Sequence, residues 1–235
     1  MIMGRIRVLL GAAKSYVSRL RAILAGRSEI LVLGDSHARI FRRKELTSKF
    51  PKLYFDVLSV GGATISGINN PNSKTQALPR FRKKISKSGA EKVILILGEV
   101  DVGFVIWLKR GGVEKSYRDA LRNYYSFVGS LSDKFSVICI SVPLPTIKDE
   151  ARFGEVANAR KEVTASQMDR TRLTVMFNNE IEEFCVKNGH IFINLDPLSS
   201  GEDGLVDRRL LNVDETDHHY NDVEYARLLV DNLKH

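Results

Sequence analysis

Residues 29–41 read Glu-Ile-Leu-Val-Leu-Gly-Asp-Ser-His-Ala-Arg-Ile-Phe. Glu29 to Leu33 is a short, β-rich, almost wholly apolar run that passes straight into Gly34-Asp35-Ser36-His37 and then into a segment of helical character. A strand feeding a helix in this way opens a parallel β-α-β unit, because parallel strands need a crossover between them. The same alternation continues outward. Further strands are expected at Leu53 to Val60, Lys92 to Leu97, Phe135 to Val142 and His190 to Leu195, several of them apolar throughout, as strands buried on both faces are. Helices are expected near 38–49, 76–88, 113–132, 168–188 and 222–233, with Asn188-Gly189 suited to closing the fourth. The pattern predicts an α/β fold, a five-stranded parallel sheet in a three-layer α/β/α sandwich.

The chain has 235 residues, long enough to bury a large core in a single domain without disulfides or a structural metal. Peptide-scale and collagen-like classes are excluded. Cys139 and Cys185 lie in apolar segments with no C-x-x-C spacing and no histidine at ligand distance, which reads as two buried thiols in a reducing, cytoplasmic setting. Residues 1–27 carry six arginines and lysines and no acid, so they hold most of the net charge of +8. Val8, Leu9, Ala12, Tyr16, Leu20, Ile23 and Leu24 recur there at helical spacing. This is a basic amphipathic helix, docked either on its own domain or on an anionic membrane at the inner face; its apolar stretch is too short for a secretory signal or a span. The expected division is therefore 1–27 as an N-terminal helix and 28–235 as one domain. The least regular stretch, Pro143 to about Ala165, follows the fourth strand and reads as a lid, a substrate-selecting loop or a plain surface insertion.

The chemistry-bearing residues gather at strand ends. Ser36 at the first strand-to-helix junction is placed either as a nucleophile or as a helix cap. After the second strand, Gly61-Gly62 either aims an amide into the crevice or makes a tight turn. After the third, Glu99 and Asp101 are placed to bind hydroxyls, pair with a cation or hold a loop. Near the C-terminus, Asp214-Glu215-Thr216-Asp217-His218-His219 precedes the last helix, where a histidine beside an acid is suited to take a proton from a serine. Asp35 and His37 flank the serine itself.

The order of these blocks after Arg27 resembles the SGNH hydrolases, also called the GDSL esterase/lipase family. That resemblance implies a flavodoxin-like sheet, with Ser36 as nucleophile, the amides of Ser36 and Gly62 as an oxyanion hole, and no cofactor or metal. Two departures stand out. Gly98-Glu99-Val100-Asp101 places Val100 where the family has its oxyanion asparagine, and removing one such donor typically costs about 2.7–4 kcal/mol of transition-state stabilisation. Thr216 stands three residues before His219, where the family has aspartate; Asp217 is the acid chosen for His219, with Glu215 paired to His218 and Asp214 as alternatives.

The resemblance implies a serine esterase or acyltransferase acting on O-acyl groups, O-acetyl above all, of a carbohydrate. Two rivals belong to other classes. Asp35, His37, Glu99, Asp101, His218 and His219 form the type of set a metal-dependent phosphoesterase uses, although the sequence has neither a Gly-Asn-His block nor a His-x-His. A non-catalytic glycan-binding protein would tolerate the missing asparagine. Nucleic acid is not expected as a partner: the basic run Arg80 to Lys84 lies on one helix without interleaved aromatics of a stacking surface.

Overall fold

The computed structural model describes residues 17–109, 111–149, 162–214 and 216–234. Strands β1 (Ser28–Gly34), β2 (Leu53–Ser59), β3 (Lys92–Ile96), β4 (Ser136–Ile140) and β5 (Ile191–Ile193) form one sheet in the order β2-β1-β3-β4-β5, every pair parallel. Side chains alternate across a strand, so these apolar runs feed two cores at once. Leu31, Leu33, Val93, Leu95, Val137 and Cys139 point to one face, and Val32, Ile94, Ile96, Ile138 and Ile140 to the other.

The first face is covered by α3 (Ala77–Lys87), α5 (Val113–Ser132) and α6 (Gln167–Lys187), through Phe81, Tyr124, Phe127 and Phe177. The second is covered by a 3₁₀ turn (Ser36–Arg42), α2 (Lys44–Thr47) and α8 (Asp222–Leu233), through Phe41, Leu46, Tyr225 and Leu229, with the short α7 (Asp196–Ser199) lying between α6 and α8 in the chain. The long helix α6 starts on a capping box between Ser166 and Asp169, and Gly189 at φ +71° follows its last turn. The three-layer α/β/α architecture and its five parallel strands are those expected from the sequence.

Two segments differ from expectation. The single helix expected over 38–49 is a 3₁₀ turn and a separate short helix: the Asp35 carboxylate captures the N–H of His37, and Arg43 is extended between the two pieces. A π-helical turn (Asp101–Val105) leading into α4 (Ile106–Leu108) follows β3, where no helix was expected. Its start is pinned by Asp101, whose carboxylate accepts the N–H groups of Ile65 and Ser66 at 2.7 and 3.0 Å. This is the loop-holding role, and burial pushes the Asp101 pKa up to about 6 against those hydrogen bonds. Both cysteines are buried free thiols.

At the N-terminus, residues 17–24 form a helix, α1, held to the domain by Ala22 and by Arg19, which pairs with Glu29 at 2.7 Å and donates to the Lys87 carbonyl. Val17, Leu20, Ile23 and Leu24 face outward, Leu24 at 86% exposure. Of the irregular stretch after β4, residues 150–161 lie outside the described residues. The preceding part is tied to α6, since Gln167 and Arg170 donate to the carbonyls of Pro145 and Ile147. No described helix is long and apolar enough to cross a membrane.

Candidate active site

The chain runs from β1 to β2 on one side and then to β3 on the other, so the strand order reverses at β1. The crevice outside the carboxyl ends of β1 and β3 is where open α/β sheets bind ligands. Ser36 is the second residue past the end of β1. It reaches that edge because the preceding backbone lies hard against β3: a Cβ on Gly34 would sit 2.0 Å from the carbonyl oxygen of Ile96, and Asp35 donates its N–H to that same oxygen. Asp35 is fully buried beneath the turn. Its Oδ1 accepts the N–H of His37 at 2.9 Å and lies 3.2 Å from the His37 Nδ1, while its Oδ2 accepts from Gly98. The Ser59 hydroxyl donates to the Asp35 carbonyl at 2.7 Å. Asp35 thus fixes the turn that presents Ser36.

The histidine loop is held just as specifically. Tyr220 is buried and its hydroxyl accepts the N–H of Leu144 at 2.7 Å, while Thr146 donates to the carbonyl of His218 at 2.8 Å. Asn221 caps α8 by accepting from Val223 and Glu224. These bonds tie residues 218–221 to the segment beyond β4. Asp217 Oδ1 then accepts the His219 backbone N–H at 2.9 Å and lies 2.5 Å from the His219 Nδ1, and its Oδ2 accepts from Asn212.

The electrostatics follow from this arrangement. Burial would raise the Asp217 carboxyl, but the hydrogen bonds from His219 and the neighbouring imidazoles hold it below its usual value. Burial lowers the His219 pKa below 6.5, with His37 and Arg39 adding to the effect and Asp217 opposing it. A carboxylate at Nδ1 places the ring proton there and leaves a lone pair on Nε2, the tautomer a general base needs. That lone pair is held by Arg39, whose Nη2 donates to His219 Nε2 at 2.8 Å while its Nε donates to the Ser36 carbonyl at 3.0 Å. No hydrogen bond joins the Ser36 hydroxyl to a histidine among the described residues. Ser36, His37, Arg39, Asn212, Asp217, His219 and Tyr220 line one cavity of about 170 Å³.

Gly62 turns the chain after β2 at φ +69°, in the left-handed region that glycine enters without strain. The N–H groups of Ser36 and Gly62 donate to no backbone or side-chain acceptor among the described residues, which leaves both amides for a ligand oxygen. Val100, half-buried at the start of the helical turn after β3, offers no side-chain donor. Glu99 and Asp101 are both buried, and Asp101 is spent on its own loop. Glu215 lies outside the described residues. His37 and His218 come together with His219, at ring-centroid distances of 4.7 Å for His37–His219 and 4.0 Å for His218–His219.

Among solved structures, the chain is similar to a GDSL-like lipase from Bacteroides thetaiotaomicron, at 18% identity and TM-score 0.63, over 88% of this chain and 86% of that one. The fold is that of the SGNH, or GDSL, hydrolases. An acetyl xylan esterase matches at 15% identity and TM-score 0.57, over 88% of this chain and 98% of that one. A catalytic mutant of an acetylxylan esterase from Geobacillus stearothermophilus matches at 10% identity and TM-score 0.55, over 88% and 92% of the two chains. No protein-family model and no curated protein matches the sequence.

Within the SGNH frame, the residues that sequence reading passed over are positioning groups. Arg39 is the foremost. Residues three apart eclipse on a 3₁₀ turn, so Arg39 stands over Ser36, a placement hidden by reading 38–49 as an α-helix. Asn212, which donates to the Asp217 carboxylate, and Thr146, which donates to the His218 carbonyl, carry no motif; buried Asn178 pairs with both backbone groups of Val142 and with Asp196.

Proposed function

We propose that this chain is a serine-dependent ester hydrolase or acyltransferase that acts on O-acetyl groups of a carbohydrate. The observation that carries the reading is that Ser36 and an Asp217–His219 pair in the base-forming tautomer open on one small cavity at the sheet's switch point. In the first half-reaction Ser36 Oγ attacks the acyl carbonyl and its proton passes to His219 Nε2. The oxyanion is met by the amides of Ser36 and Gly62. The ester C–O bond breaks, and His219 returns the proton to the departing sugar oxygen. Water, or a hydroxyl of a second sugar, then attacks the acyl-serine with His219 again taking the proton; water gives hydrolysis and a sugar gives transfer.

Arg39 must yield Nε2 before Ser36 can engage it, so substrate binding includes a shift of that guanidinium. The acetyl and carbohydrate assignments both rest on the likeness to the two xylan esterases. Two hydrogen-bond donors, with Val100 in the third position, predict a slower catalyst than a site with three.

The test is acetate release from acetylated xylo-oligosaccharides, beside p-nitrophenyl acetate and p-nitrophenyl dodecanoate. Hydrolysis of the acetyl substrates, lost in Ser36→Ala and weak on the dodecanoate, supports the reading. Equal activity of Ser36→Ala contradicts it.

We further propose that α1 rests on an anionic membrane surface at the inner face. Its outward Val17, Leu20, Ile23 and Leu24 lie beside Arg21 and Arg27, a pairing of apolar and basic groups that suits the headgroup boundary. Co-sedimentation with phosphatidylglycerol vesicles, reduced in Leu20→Glu/Leu24→Glu, is the expected result; equal sedimentation of the variant contradicts it.

A further inference from the structure

His37, from the turn after β1, and His218 and His219, from the loop before α8, each place one ring nitrogen within 4.8 Å of one from each of the others. We propose that these three imidazoles are a site for a divalent transition metal, zinc above all, and that the metal switches the serine centre off. Three neutral nitrogen ligands suit zinc and its first-row neighbours, whereas calcium and magnesium require oxygen.

Two features beyond the cluster point the same way. First, two of the rings are backed by carboxylates. Asp35 Oδ1 lies 3.2 Å from the His37 Nδ1 and Asp217 Oδ1 lies 2.5 Å from the His219 Nδ1. A carboxylate behind Nδ1 fixes the tautomer that offers Nε2 to a metal and is the usual outer shell of histidine–zinc sites. The two carboxylates also balance the charge of a divalent ion. Second, the Nε2 lone pair of His219 already holds a cation, the Arg39 guanidinium at 2.8 Å. A metal takes that place when Arg39 swings out, as an exposed arginine can.

Zinc–nitrogen bonds of 2.0–2.1 Å in a tetrahedron set ligand nitrogens about 3.3 Å apart. The rings must therefore close by at most about 1.5 Å, with His218 and His219 only half-buried. Three protein ligands leave a fourth position open, and Ser36 lines the same cavity as two of the three rings.

The metal site stands independently of the serine reaction; the inhibition rests on that reading, because a metal on His219 Nε2 occupies the lone pair that would receive the Ser36 proton. The experiment is titration of chelator-stripped full chain with cobalt(II), followed by zinc competition. One equivalent per chain is expected, with the visible bands of tetrahedral cobalt. His37→Ala and His218→Ala should each weaken binding at least about tenfold, and Arg39→Ala should tighten it. His37 is buried, so the half-buried His218 supplies the variant that keeps the fold, checked by its melting curve. Zinc should also slow acetyl-ester hydrolysis in the wild type, reversibly with EDTA, and His218→Ala should need at least about ten times more zinc relative to its own metal-free rate. Sub-stoichiometric cobalt, or a dissociation constant unchanged in both histidine variants, overturns the site. An inactive protein that still binds one cobalt through these residues separates the metal proposal from failure of the esterase reading.

Discussion

Replacing Asp217 with asparagine tests the proposed base directly. The carboxylate touches His219 twice, through the backbone N–H and through Nδ1, so Asp217→Asn keeps the size and one acceptor oxygen while removing the negative charge. That charge is worth most when the imidazolium forms. At about 4 Å between charge centres and an effective dielectric near 20, the attraction is about 4 kcal/mol. The Asp217 side chain is 39% exposed and His219 17%, so solvent screens part of it, and about 2–4 kcal/mol is expected at the transition state. This corresponds to a fall in kcat of roughly 30- to 1,000-fold, below the roughly 10⁴-fold loss for a triad whose acid is wholly buried.

The pH profile gives an independent sign. His219 must be neutral to act, so activity in the wild type should rise with pH through a value below 6.5, the direction in which burial moves its pKa. The Asp217 charge opposes that shift, hence its loss should move the acid limb to still lower pH while the plateau drops. The assay is p-nitrophenyl acetate hydrolysis from pH 4 to 8, with melting curves as a control for folding. A plateau within twofold of the wild type, or an acid limb displaced upward, would refute the reasoning.

Further outcomes follow from the same geometry. Arg39→Ala frees His219 Nε2 from a hydrogen bond of about 0.5–1.5 kcal/mol net, so Ser36 should react with a fluorophosphonate roughly 2- to 10-fold faster; slower labelling at an unchanged melting temperature would contradict the blocking role. Asp101→Ala strands the buried N–H of Ile65 and the half-buried N–H of Ser66, at about 1–3 kcal/mol each, and should lower Tm by roughly 5–15 °C. Gly34→Ala drives a methyl into the Ile96 carbonyl and should destabilise by at least about 3 kcal/mol in urea unfolding.

The fold was legible because its information is local and repeated. The runs at Leu31–Leu33, Val93–Ile96 and Val137–Ile140 are apolar on both faces, which only a covered parallel sheet tolerates. The long helices α5 and α8 begin and end at the expected residues, since their periodicity extends over several turns. The first turn after β1 was misread because a buried carboxylate, Asp35, decides it, and helical spacing carries no trace of that. The same limit applies at the site. Ser36, Gly62 and His219 sit in recognisable blocks, and Asp217 was nominated among several acids, but the contact that selects it depends on a loop anchored by Tyr220 and Thr146 to residues more than 70 positions away. Arg39 and the convergence of His37 with His218 and His219 arise from the packing of two loops far apart in sequence.

The most direct test of the central claim is intact-protein mass after treatment with a fluorophosphonate, run on the wild type, Ser36→Ala and His219→Ala. The proposed chemistry predicts a single covalent adduct on the wild type, none on Ser36→Ala and strongly reduced labelling of His219→Ala. A folded wild-type protein that takes up no probe while a control esterase is labelled, or an adduct that persists in Ser36→Ala, would contradict it.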